Sequence, residues 1–224
     1  MAKAKTTTRV VALASTKGGT GKTTLTAALA VRAAQDGHRV AIIDNDGQGS
    51  LGYWWELRRK PTNPRLFDVS CSAEGLALII ADGWDWVFID SPPAVMEHIE
   101  EAIAVADLVL VPVRPSAIDL DAIDRLTRRG GAGQSPGRLR ELGKPFAFVL
   151  NQVEPGSKLA TSAAQALREE GQLLEPAISM RQTYLRAMNL GKTGPEMPQG
   201  ESCAAEIDRL WAEVQAQFAK ARRA

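Results

Sequence analysis

The sequence predicts one α/β domain built on a doubly wound, mostly parallel sheet with helices on both faces. Three observations carry that reading. Short apolar runs recur along the chain and alternate with longer stretches of helical period, as do strands buried on both faces and their crossover helices. Most of these runs stop at Gly, Asp, Asn or Pro, the residues of strand-end turns. A length of 224 residues, 45% of them hydrophobic and 24% charged, suits one well-filled core. Residues 1–8 read as a flexible, weakly basic tail carrying Lys3 and Lys5, and residues 9–224 as the domain, with no internal repeat or boundary inside it.

Each element follows from the residues in turn. Val10-Val11-Ala12-Leu13-Ala14 is the first buried strand. Residues 24–34, dense in Ala and Leu, predict a helix that Gly37 stops. Residues 40–43 form the next strand, and residues 51–59, with Trp54, Trp55 and Leu57, a helix broken by Pro61. Residues 66–69 predict a short strand, 73–81 a helix ending near Gly83, and 86–89 a buried strand that closes on Asp90-Ser91-Pro92-Pro93. A helix over 99–106 leads to a strand over 108–111, then a helix over 120–128. Residues 130–137, rich in Gly with Ser and Pro, read as a loop. A strand over 146–150, a helix over 159–170 and a terminal helix over 206–220 complete the pattern. The last of these places Ile207, Leu210, Trp211, Val214 and Phe218 on one face. Right-handed crossovers then put any ligand beyond the carboxyl ends of the strands.

Composition excludes several classes of function. A formal net charge of +1 provides no bulk attraction to nucleic acid, so such binding needs a local patch. Two cysteines, Cys71 and Cys203, make neither a disulfide framework nor a metal set, and fit a reducing cytoplasm. No apolar run reaches the length a bilayer needs, and the N-terminal residues lack the apolar core of a signal peptide.

Between the first strand and the first helix stands Ser15-Thr16-Lys17-Gly18-Gly19-Thr20-Gly21-Lys22-Thr23-Thr24. Strand, glycine-rich turn and helix in that order make a phosphate cradle: glycines let backbone N–H groups converge, and the helix N-terminus adds a favourable dipole. Lys22 would reach the β- and γ-phosphates, and the Thr23 hydroxyl would coordinate Mg²⁺. The general P-loop pattern wants Gly where this chain has Thr16, and a second lysine, Lys17, opens the turn instead. This arrangement resembles the deviant P-loop of the ParA/MinD family of ATPases. The resemblance implies a P-loop NTPase domain whose Lys17 crosses a dimer interface to the partner's phosphates. It assigns residues 17–24, Lys17, Gly18, Gly19, Thr20, Gly21, Lys22, Thr23 and Thr24, to the nucleotide.

Two acidic stretches fall where the same sheet would need them, at strand ends. Asp90, within Val87-Phe88-Ile89-Asp90-Ser91-Pro92-Pro93, resembles the family's carboxylate that holds Mg²⁺ through water. Asp44-Asn45-Asp46-Gly47-Gln48 resembles its Asp-x-Asp-Pro-Gln box, so Asp46 would orient the attacking water and Asp44 would sit in the magnesium shell. Gly47 replaces the usual Pro and loosens the backbone after Asp46, which bears on the rate. Pro112-Val113-Arg114-Pro115-Ser116-Ala117-Ile118-Asp119 resembles the family's Pro-x-x-Pro-Ser-x-x-Asp stretch, and Asn151 stands where relatives contact adenine; a strand-end turn is its other reading.

Resemblance covers the chain from Val10 to the terminal helix, and its length and the Arg181-Gln182-Thr183-Tyr184 segment are similar to small plasmid-partition ParA proteins of the ParF type. It implies ATP and ADP with Mg²⁺ as ligands, a homodimer in the ATP state, non-specific DNA binding, and hydrolysis that releases the DNA. It also implies a ParB-like or other adaptor that stimulates the ATPase, and a cytoplasmic, nucleoid-associated protein that moves a plasmid, a chromosome or a protein cluster. Candidates for the DNA face are Arg181, Arg186 and Lys192, with Lys220, Arg222 and Arg223 further on; Arg125, Arg128, Arg129, Arg138, Arg140 and Lys144 form a second basic cluster. A membrane-cycling ATPase of the MinD type is the alternative. It would need a terminal amphipathic segment beyond the folded domain; the helix at 206–220 is amphipathic, but Glu206, Asp208 and Glu213 beside its apolar face favour packing on the sheet. Electron transfer of the nitrogenase-reductase kind would need cluster-ligating cysteines, and Cys71 and Cys203 lie outside the motifs.

Overall fold

The computed structural model describes residues 7–93, 96–130 and 136–221. Seven strands, β1 (Arg9–Leu13), β2 (Val40–Asp44), β3 (Arg65–Phe67), β4 (Trp86–Asp90), β5 (Leu108–Val113), β6 (Phe146–Leu150) and β7 (Gln172–Leu174), form one sheet. Its order is β3-β2-β4-β1-β5-β6-β7, and every pair is parallel. The helices are α1 (Lys22–Gln35), α2 (Ser50–Leu57), α3 (Ala73–Ala81), α4 (Met96–Val105), α5 (Ala117–Thr127), α6 (Arg138–Glu141), α7 (Lys158–Glu170), α8 (Gln182–Met188) and α9 (Glu201–Ala221). This is the doubly wound α/β architecture that the alternating pattern predicts.

Side chains alternate between two cores, as a period of two requires. Val11, Leu13, Ile42, Trp86, Phe88 and Leu110 meet α1, α2, α8 and α9 on one face. Val10, Ala12, Ile43, Val87, Ile89 and Val111 meet α3, α4, α5 and α7 on the other. Trp86 anchors the first core: Trp211 of α9 meets it edge-on with centroids 4.6 Å apart, and Phe218 does so at 5.1 Å. The buried face of α9, with Ile207, Leu210, Trp211 and Val214 all within 1% of complete burial, is therefore engaged by the sheet. Among the described residues no helix is long and apolar enough to cross a membrane.

Register sets the site. Leu13 of β1 and Asp44 of β2 both pair with Asp90 of β4, so three strands end level at one edge. Turns leaving that edge carry all the motifs.

The structure differs from the sequence pattern in a few places, each with a local cause. The first helix starts at Lys22 rather than 24, because Gly21 at φ 90° turns the chain straight into it. α5 starts at Ala117, where the Ser116 hydroxyl caps the helix by accepting from the Asp119 N–H at 3.1 Å. α9 starts at Glu201, five residues early, directly after a Gly200 whose Cβ would fall 2.7 Å from the Met197 carbonyl oxygen. The third strand is Arg65–Phe67, starting one residue before and ending two before the expected 66–69. β7, α6 and α8 are too short to show a period, and sequence reading missed them. Residues 1–6 of the expected tail and 131–135 of the expected loop lie outside the described residues.

Candidate functional site

Between β1 and α1 the loop turns on two glycines in left-handed conformation, Gly19 at φ 72° and Gly21 at φ 90°. A Cβ on Gly21 would sit 2.2 Å from Asn151 Nδ2, so no other residue fits there. That closeness reflects a brace. Asn151 Nδ2 donates to the Thr20 carbonyl at 2.7 Å, and Gln152 Nε2 donates to the Gly19 carbonyl at 2.7 Å. In a trans peptide the N–H points opposite to the carbonyl, so pulling these two carbonyls toward the end of β6 turns the N–H groups of Thr20 and Gly21 the other way, into the cradle.

Lys22 opens α1 and is only 6% exposed. Its Nζ donates to the Lys17 carbonyl at 3.4 Å, folding back over the loop. Burial lowers its pKa, while Asp90 and Asp46 oppose that shift. Lys17 is half-buried and its ammonium makes no ion pair with a described residue.

The carboxylates converge on this lysine from β2 and β4. Asp90 is fully buried. The Thr23 hydroxyl donates to its Oδ2 at 2.6 Å, and its Oδ1 has no partner among the described residues. Burial pushes the Asp90 carboxyl up to about 7, with Thr23 and Lys22 pulling it down and the Asp44 and Asp46 charges pushing it up. Asp44 shapes the following turn: it accepts from the Gly52 N–H at 2.8 Å and the Asp46 N–H at 3.2 Å, and burial raises its pKa. Asp46 is half-buried, and its Oδ1 accepts from the Gln48 N–H at 3.0 Å across the exposed Gly47.

A buried carboxylate oxygen with nothing to accept from, beside a threonine hydroxyl and a lysine, fits a hydrated magnesium ion. Magnesium takes one or two protein ligands and completes its octahedron with water and phosphate oxygens. Among the described residues no three His, Cys, Asp or Glu side chains close around one point, so the protein alone provides no metal cage.

A cavity of about 120 Å³ opens beside the loop, lined by Gly21, Thr24, Asn151, Met180, Arg181 and Leu185 among others. Its far wall comes from residues 178–185, which sequence reading marked only at 181–184. Glu206 of α9 fixes that wall. Its Oε1 accepts from Ser179 Oγ at 2.7 Å and Arg181 Nη2 at 3.1 Å, and its Oε2 from the Tyr184 hydroxyl at 2.9 Å. A larger cavity of about 550 Å³, by Arg9, Asp107 and Phe218, lies at the opposite end of the strands, away from every motif.

The sheet brings Lys17, Lys22, Thr23, Asp44, Asp46, Asp90 and Asn151 to one edge. The basic candidates are more dispersed. Arg186 and Lys192 are exposed and make no ion pair with a described residue, whereas Arg181 is bound to Glu206. In the second cluster Arg138 pairs with Glu100 and Glu141, Arg140 with Glu170, and Lys144 donates to the carbonyls of Ala104 and Ala106. Arg222 and Arg223 lie outside the described residues.

Residues 11–193 match the family described as the CobQ/CobB/MinD/ParA nucleotide binding domain. The chain belongs to that family. Within it, the maintenance of carboxysome distribution protein A of Halothiobacillus neapolitanus is 29% identical over 211 residues, covering 91% of this chain and 95% of the relative. A protein ParA of Rhizobium radiobacter is also 29% identical, covering 94% and 96%. Among solved structures, the ATP complex of a Cyanothece McdA variant shares the fold at TM-score 0.67 and 19% identity, covering 96% and 97%. A chain of the MinC:MinD cell division protein complex of Aquifex aeolicus does so at TM-score 0.73 and 18% identity, covering 93% and 96%. The ParA/MinD membership expected from the loop is thus shown, and with it a nucleotide-binding domain over residues 11–193.

Proposed function

We propose that this protein is a magnesium-dependent ATPase of the ParA type that positions DNA or a protein-cluster cargo. The observation that carries the reading is the constellation at the end of β4: Thr23 on Asp90 Oδ2, an unpartnered Asp90 Oδ1, and the buried Lys22 beside them. The loop N–H groups and Lys22 hold the polyphosphate, and Thr23 and Asp90, with Asp44 nearby, hold Mg²⁺, whose charge offsets that of the β- and γ-phosphates. Asp46 orients the attacking water; phosphoryl transfer needs position and charge neutralisation more than a covalent nucleophile. Asn151 stands at the base cavity as well as behind the loop.

The ATP-bound form is a homodimer in which Lys17 reaches the partner's phosphates, and the dimer holds DNA without sequence preference through Arg186 and Lys192, with Arg181 as a further candidate. An adaptor of the ParB kind stimulates hydrolysis and releases the DNA. Relatives named for carboxysome distribution and for partition support a positioning role and leave both cargoes in play. The engaged face of α9 favours this reading over a membrane-cycling one.

The test is binding to random duplex DNA with ATP, ADP or no nucleotide, across a salt series. Binding should require ATP and fall steeply with salt as phosphate contacts release counterions. Lys22→Ala should abolish it together with ATP affinity; Arg186→Ala and Lys192→Ala should weaken it while ATP affinity stays. Equal DNA binding with and without ATP, or binding to anionic vesicles instead, would refute the DNA switch.

A further inference from the structure

Arg114 directly follows β5, the neighbour of β1, and so stands at the edge of the sheet that carries the loop. Its guanidinium is pinned on one side. Nε and Nη2 both donate to Asp119 Oδ1, at 3.1 and 3.0 Å. Asp119 is itself fixed: its side chain is 5% exposed, and its Oδ2 accepts from the Ser116 hydroxyl that caps α5. The loop is tied to the same helix, since Thr16 Oγ1 donates to the Ala122 carbonyl.

The other edge of the guanidinium is open. Nη1 makes no hydrogen bond to a described residue, and a Cβ on Gly19 would lie only 3.8 Å from it. An arginine fork can hold a carboxylate with one edge and present the other to a second anion, and a fork already immobilised loses little freedom on doing so. With the base in the cavity beside Gly21 and Thr24, as the proposed function has it, the chain of phosphates runs past Lys22 toward Gly18 and Gly19, where Arg114 stands.

We propose that Arg114 is a phosphate-binding residue of this site, donating from Nη1 to an oxygen of the terminal phosphate of ATP while Asp119 holds it in position. The proposal rests on the ATPase reading and adds a fixed cation to it beside Lys22.

The experiment is calorimetry of Mg-ATP and Mg-ADP with the wild type, Lys22→Ala, Arg114→Ala, Arg114→Lys and Asp119→Asn, with thermal melting of each. Arg114→Ala should lose about tenfold or more in ATP affinity and less than about twofold in ADP affinity, the size of one charge-assisted bond to the phosphate that ADP lacks. Arg114→Lys keeps the charge and loses the fork, so it should show a smaller loss of the same selectivity; it also guards against a misfolded alanine variant. Asp119→Asn should fall between. Wild-type ATP affinity in Arg114→Ala, or equal losses of ATP and ADP, would overturn the assignment while Lys22→Ala still loses both nucleotides. A wild type that binds neither nucleotide overturns the ATPase reading, and this one with it.

Discussion

The Thr23 hydroxyl donates to Asp90 Oδ2 at 2.6 Å, joining the first turn of α1 to the end of β4. Oδ1 has no partner among the described residues in a fully buried position, where an unmet acceptor is costly. Asp90→Asn keeps the shape and removes the charge. It should lower magnesium affinity in the presence of ATP by about 10- to 100-fold, with little effect on nucleotide binding in EDTA. Magnesium titration of fluorescent-nucleotide binding checks this, and an unchanged midpoint would remove Asp90 from the ion's surroundings.

Asp46 is half-buried at the same edge, and the Gln48 N–H that its Oδ1 accepts only closes a turn. Asp46→Ala should therefore bind ATP and dimerise, then stall, with single-turnover hydrolysis down by about 10²-fold or more. A rate near that of the wild type would move the water-positioning role elsewhere.

Lys17 contributes its carbonyl, not its ammonium, to the contacts within its own loop. Lys17→Ala should accordingly keep the nucleotide affinity of the monomer and lose ATP-dependent dimerisation, hydrolysis or both. Sedimentation with ATP, beside Asp46→Ala as the trapped form, decides it. A variant that dimerises and turns over normally would leave Lys17 no role across an interface.

Far from the site, Arg58 grips Glu196 with both Nη atoms, at 2.7 and 2.8 Å, and the Thr193 N–H donates to the same carboxylate at 2.8 Å. Burial pushes this carboxyl up, but Arg58 and Thr193 outweigh it and hold the pKa below the ordinary glutamate value. A depressed folded value means stability that is fully present above the unfolded pKa, about 4.3, and lost as pH falls through the folded one. Glu196→Gln should cost about 2 kcal/mol at pH 7, and the gap to the wild type should close in more acidic solution. Denaturant melts at neutral and acid pH test the sign; a gap that stays constant would deny the linkage.

How much was legible beforehand varies with how local the chemistry is. The loop from Lys17 to Thr24 and the strand-end aspartates were readable because phosphate binding demands those residue types at those points. The two cores were readable from period alone. The brace from Gln152 to Gly19 was not, since 133 residues separate the partners and a glutamine after a strand has no signature. Arg181 reads in the sequence as one more surface cation; Glu206, 25 residues later, occupies it. Sequence reading saw Glu206 only as an acidic neighbour on an amphipathic helix, because nothing local ties it to the wall of the cavity beside the loop.

The position of α9 has a bearing on biosynthesis. It is the last of the described elements to leave the ribosome, yet it carries Trp211 and Phe218, which cover Trp86 at the centre of the first core. A nascent chain that has emerged only as far as Gly200 would have every described strand and the phosphate loop, but Trp86 would lack the cover of Trp211 and Phe218 on a face that α1, α2 and α8 only partly fill. Such an intermediate exposes the kind of surface that chaperones recognise and that drives aggregation.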